Sequence, residues 1–176
     1  MPYVDLTYQD NTRTPLSGAE MKFLNPDAKI MTYPELYDYK TIEELFSENK
    51  KIIILYLLQS KHIGHWTTLF INQDGINFFD SYGVMPDYEL ELLSKDKRKQ
   101  LDEEQDYLKN HLLKDYKTIY NNITYQGTEK GIATCGCFVS HRLAYSHLDN
   151  KQYLNIFISS GMKPDDLVSK WCFSKL

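Results

Sequence analysis

Residues 51–80 read KIIILYLLQSKHIGHWTTLFINQDGINFFD, and the patterning of this stretch sets the fold class. KIIILYLL, 51–58, is a short β-rich apolar run bounded by polar residues, the signature of a strand buried on both faces. HWTTLFIN (65–72) and INFFD (76–80) are two further strand candidates. Gln73, Asp74 and Gly75 between them carry turn chemistry, so the pair is expected as a hairpin in a small sheet.

Toward the N-terminus, Ser17 with Glu20 and Thr41 with Glu44 have capping-box spacing before apolar residues and predict two short helices. Toward the C-terminus, residues 88–116 are strongly charged with Leu101, Leu108 and Leu112 at helical spacing, which predicts one long or two shorter amphipathic surface helices. The basic run Lys95–Lys99, followed by Asp102, Glu103 and Glu104, reads as a solvated helix face. ITYQ, ending at Gln126, is expected as another strand and 127–134 as a loop. CGCFVSHRLAYSHL, 135–148, is long and apolar enough for a mostly buried helix, and Pro164 with Asp165 and Asp166 suits the first turn of a terminal helix. These elements predict one α+β domain over residues 1–176, a small central mixed sheet packed against a buried helix that opens with Cys135.

Its 176 residues suffice for one self-supporting core, and a formal net charge of −4 gives no general attraction to nucleic acid or an anionic membrane. MPYVDLTYQD lacks the start of a signal peptide and no run approaches a membrane span, so a soluble, non-secreted protein is expected. Three cysteines are an odd count, and those at 135 and 137 are awkwardly placed to pair. A reducing compartment with at least one working thiol fits better than a disulfide framework.

A thiol attacks as its thiolate and needs a base and a path to substrate. Cys135 follows a glycine-bearing loop and opens a helix, where the dipole favours negative charge, and Gly136 leaves room for a substrate backbone. Cys137 lies two residues on, a rotation of about 200°, so both thiols cannot face one partner. Cys137 beside Phe138 and Cys172 beside Trp171 read as core residues. Among five histidines, His65 has the best context, at the mouth of a strand after Gly64 with Trp66 pointing to the other face. His62 is a substitute, while His111, His141 and His147 lie within helices. The tight turn brings Asp80 toward His65 as the group that orients the base. An oxyanion hole could use the backbone N–H of Cys135 and the side chain of Gln126, with Gln59 and Gln73 less well placed.

The order GHW, FFDSYG, YQG, ATCGCF resembles the adenain and SUMO-protease clan of cysteine peptidases over roughly residues 50–148, most closely the adenovirus-type maturation proteases of DNA viruses and virophages. The resemblance implies a papain-related, adenain-like fold with Cys135 as nucleophile, His65 as general base, Asp80 as acid and Gln126 in the oxyanion hole. Trp66 would wall a narrow substrate channel, with Gly64 and Gly136 beside it. It further implies cleavage of viral capsid or core precursors after small residues, chiefly glycine, in the host cytoplasm or virus factory and in the virion. Adenovirus-type enzymes are associated with DNA and peptide activators; the acidic balance argues against the first, and nothing in the sequence argues for the second. Two departures stand out: the turn between His65 and Asp80 is shorter than in the clan, and the stretch from Gln126 to Cys135 longer.

Three alternatives remain open from sequence. A ubiquitin- or SUMO-directed isopeptidase of the same clan keeps the chemistry, and an acetyltransferase keeps the thiol. A non-enzymatic zinc module would use Cys135, Cys137, His141 and His147, but their spacing is poor for a tetrahedral site. No metal or cofactor is expected.

Overall fold

A computed structural model describes residues 11–176. The reading of residues 1–10 as no signal peptide lies outside the described residues. The sheet forms as the alternation in 51–80 requires. β2 (Lys51–Ser60) and β3 (Ile63–Asn72) pair antiparallel, and β3 continues into β4 (Gly75–Phe79) through the expected tight turn, with Thr68 opposite Phe79 and Asn72 opposite Gly75. Two strands absent from the sequence reading complete it: β1 (Lys29–Thr32) runs parallel to β2, and β5 (Ile119–Tyr120) parallel to β4. The sheet is therefore mixed, in the order β1-β2-β3-β4-β5, and the protein is α+β.

Because side chains alternate across a strand, the apolar run in β2 divides between two cores. Ile53, Leu55 and Leu57 face one side with Trp66, Phe70 and Phe79; Ile52, Ile54 and Tyr56 face the other with Leu69 and Phe78. The first side is covered by α5 (Cys135–Ala144), whose Phe138 and Val139 are fully buried, each contributing roughly 1.5–3 kcal/mol. α6 (Asn150–Ser160) and α7 (Pro164–Phe173) pack Tyr153, Phe157 and Val168 into the same core. The second side is covered by Tyr33 and Leu36 of a 3₁₀ turn, Ile42 and Leu45 of α2 (Ile42–Leu45), and Leu108 and Leu112.

Both capping boxes mark real helix starts: Ser17 precedes α1 (Gly18–Leu24) with both reciprocal bonds, and Thr41 accepts from the Glu44 N–H at the start of α2. Asp149 and Gln152 form a further box that opens α6, a helix with no counterpart among the expected elements.

One expectation is narrowed and one corrected. Residues 88–116 take the second of the two expected forms, two short helices instead of one long one: α3 (Tyr88–Glu91) and α4 (Lys95–Gln100), followed by a π-helical turn over Leu108–Leu112 and separated from it by bends. The cause is that its charges do not all face water. Glu103 is fully buried and accepts from the Leu57 N–H at 2.7 Å, where the β2–β3 register breaks, while Arg98 donates to the Glu103 carbonyl at 2.8 Å. The basic run itself is solvated, since α4 buries no residue. ITYQ is not a strand: the N–H groups of Tyr125 and Gln126 both donate to the carbonyl of Ser81, so this segment is tethered to the turn after β4 instead of a ladder.

Arg142, near the end of α5, is fully buried, with its guanidinium 4.7 Å from the Phe70 ring centroid and 4.8 Å from that of Tyr153. It donates to the carbonyls of Tyr145 and Leu148, closing the turn that leads to α6. No helix among the described residues is long and apolar enough to cross a membrane.

Candidate active site

His65 pairs with Tyr56 near the end of the β2–β3 ladder, where the strands part at a bulge between Leu57 and Ser60. Gly64 permits this: a Cβ there would lie 1.8 Å from the Tyr56 carbonyl oxygen. β4 ends opposite Thr68, so Asp80 falls on the same face as His65, and their side chains meet at 3.0 Å between His65 Nε2 and Asp80 Oδ1. The backbone N–H of Tyr82 donates to the same oxygen at 2.8 Å, which fixes the carboxylate. The chain then turns at Gly83, whose φ of 75° and contact with the Ile123 backbone admit only glycine, and the Tyr82 ring stacks on the imidazole at 5.0 Å.

With Nε2 held by Asp80, Nδ1 is the ring nitrogen left to a thiol. Burial pushes the imidazole down, but the charge and hydrogen bond of Asp80, joined by those of Cys135, overcome it and hold His65 well above the usual histidine range. Cys135 itself, at the first turn of α5, is 9% exposed and lines a cleft of about 1010 Å³ together with His65, Trp66, Tyr82 and Gln126.

Gln126 is buried, and its Oε1 accepts from the Ser81 hydroxyl at 2.7 Å. That bond uses the acceptor end of the amide and leaves the NH₂ as its donor end. The residue after the acid thus holds the glutamine, and the structure gathers Cys135, His65, Asp80 and Gln126 at one place. Trp66 lines the same cleft, with its indole N–H donating to the Leu16 carbonyl at 3.1 Å. Gly64 also lines it, whereas Gly136 is buried against its own chain: a Cβ there would meet Met21 Sδ at 3.0 Å and Leu16 Cβ at 3.1 Å. Space above Gly136 therefore belongs to α1 and the residues before it.

The other candidates stand elsewhere or apart from the histidine–acid pair. His62 and Gln59 line the outer cleft, and Gln73 donates to the His147 carbonyl behind the sheet turn. His111 bonds the Lys40 carbonyl, and His141 meets the Tyr153 hydroxyl at 2.8 Å, its pKa pushed down to about 4 by burial. Cys137 hydrogen-bonds Cys172, and that bond with burial raises its thiol far above the ordinary range. The three cysteines are free. Cys135, Cys137, His141 and His147 do not converge: among the described residues the one group with metal-ligand proximity is His65, Asp80 and Glu89.

Glu89 was not anticipated. It is 6% exposed, its Oε1 lies 3.9 Å from His65 Nε2, and burial raises its carboxyl to about 7 against the opposing pull of His65. The Asp80 charge and a hydrogen bond with Asp80 raise it further. Its position in the charged stretch 88–116 carried no local signal for this role.

No protein-family model matches the chain. Uncharacterized protein V9 of the Sputnik virophage is 34% identical to it over 155 residues, spanning 85% of this chain and 88% of that protein. Among solved structures, the C-terminal Ulp1 protease domain in complex with Smt3, the yeast ortholog of SUMO, is similar with a TM-score of 0.42 and 14% identity, over 96% of this chain and 81% of that one.

Proposed function

The chain belongs to the family of the Sputnik virophage protein V9, and from that premise and the geometry of the cleft we propose that it is a cysteine endopeptidase. One observation carries the reading: a buried histidine bonded to a buried aspartate at 3.0 Å, with the cleft thiol of Cys135 acting on the same ring. Such a histidine is placed to take the thiol proton and hold it beside the sulfur, as attack by a thiol requires.

Cys135 Sγ adds to the substrate carbonyl carbon, and the oxygen that becomes negative is met by the Cys135 N–H and the Gln126 amide. The C–N bond breaks as His65 gives its proton to the leaving amine. Water then adds to the thioester with His65 as base, releasing the acid and restoring the thiol. Asp80 keeps the imidazole oriented and favours its charged form.

The substrates in this reading are protein precursors of a virus particle, cut after glycine during maturation, with the enzyme working as one domain in the host cytoplasm and the assembling virion. The viral source of the relative supports that setting.

Brief iodoacetamide treatment followed by intact-mass analysis tests the chemistry. One adduct should form fast on the parent, vanish in Cys135→Ala, slow in His65→Ala and survive in Cys137→Ala. Equal labelling of Cys135 and Cys137 rules the proposal out. A glycine-ended electrophile on a ubiquitin-like modifier, set against the same electrophile on a short peptide, distinguishes the isopeptidase alternative.

A further inference from the structure

The loop from Gln126 to Cys135 holds the oxyanion glutamine at one end and the nucleophile at the other, and its two ends are gripped by a single side chain. Asp165, in the first turn of α7, accepts from the Gly127 backbone N–H with Oδ2 at 2.8 Å and from the Thr134 hydroxyl with Oδ1 at 2.6 Å. Gly127 follows Gln126 directly and Thr134 precedes Cys135 directly.

We infer that Asp165 is a positioning residue that sets the distance between the oxyanion-hole amide and the attacking thiol. This rests on the peptidase reading above. Two further observations support it. Thr134 is the N-cap of α5 yet makes no side-chain cap bond, its hydroxyl being given to Asp165 instead. A Cβ on Gly127 would stand 2.8 Å from Asp165 Oδ2, so glycine is what lets the carboxylate reach the backbone.

The clasp gives the length of the loop a physical meaning. Between its gripped ends the chain can lengthen without moving Gln126 or Cys135, because a carboxylate of fixed size, not the loop, spans them. The middle of the loop is tied separately, by Ala133 N–H to the Thr12 carbonyl and by Arg13 to the Lys130 carbonyl at 2.8 Å.

The test separates attack that needs an oxyanion hole from attack that does not. Displacement of iodide from iodoacetamide by Cys135 develops no oxyanion, whereas hydrolysis of a Gly-Gly aminocoumarin amide does. Asp165→Asn, which loses one acceptor, and Thr134→Val, which keeps the shape and removes the hydroxyl, should each lower kcat by about 10- to 100-fold, short of deleting a donor outright. KM and the alkylation rate of Cys135 should stay within about two-fold of the parent, a pattern that general loosening of the site would not give. Melting curves of both variants establish that they are folded. An unchanged kcat, or an alkylation rate that falls in step with kcat in both variants, overturns the inference. A parent protein whose Cys135 alkylates no faster than a free thiol and cleaves nothing sinks the peptidase reading itself.

Discussion

Cys135 and Cys137 stand two residues apart on one helix and live in different chemical worlds. Cys135 lines the cleft with His65 as neighbour; Cys137 is 1% exposed and hydrogen-bonded to Cys172 in the core. Residue type and shared sequence context do not give two thiols the same surroundings. A rotation of about 200° along the helix moves one thiol from the cleft beside His65 to a dry, apolar wall.

The largest expected effect breaks this comparison outright. Cys135→Ala should abolish peptide turnover, a loss on the order of 10⁴-fold or more, while Cys137→Ala leaves turnover near the parent value. Steady-state hydrolysis of a glycine-ended peptide amide measures both. Equal losses for the two substitutions would mean that helix phase does not separate the two thiols.

Asp80→Asn comes next. It keeps the shape but removes the charge and the preference for the working tautomer, so kcat should fall by about 10²- to 10⁴-fold. Alkylation of Cys135 should slow as well, since the imidazole loses the main force that raises it.

A third prediction concerns pH. Glu89 and Glu103 are raised to about 7 and Asp87 to about 6, all chiefly by burial. A carboxyl whose folded value exceeds its unfolded one contributes stability that is complete below the unfolded value and is lost as pH rises through the folded one. The fold should therefore weaken between about pH 4 and 7, opposed in part by His141, which burial holds down to about 4, and His65, held well above its usual range, should extend the loss above pH 7. Urea titrations at pH 5 and 7.5 should differ by an amount on the order of 1 kcal/mol or more, and Glu103→Gln should flatten the difference. A stability that rises over this window contradicts the burial of these acids. The smallest effect belongs to the core thiol: Cys137→Ala should cost about 1 kcal/mol in urea unfolding with activity kept.

Much of the site was legible because it is local. β3, its tight turn and β4 follow from alternation over fewer than twenty residues, and register alone carries Asp80 to His65. Helix phase separates Cys135 from Cys137, and Ser17 with Glu20 states where α1 begins. What stayed hidden depends on where distant segments land. Glu89 looked like one charge among many, and its closeness to His65 exists only because the stretch after Gly83 folds back over the second core. Asp165 read as an ordinary first-turn acid, and only the packing of α7 beside α5 aims it at both ends of the loop between Gln126 and Cys135.

By itself, then, the amino-acid order determined which residues are candidates for the chemistry and most of the strands and helices that hold them, because periodicity and capping act over one or two turns of chain. Tertiary structure alone decided that β1 and β5 join in parallel, that Gly136 faces Leu16 and not open cleft, and which buried acids surround the imidazole. Those outcomes are set by contacts between residues tens of positions apart, whose charges and hydrogen bonds have no signature in the local pattern of either partner.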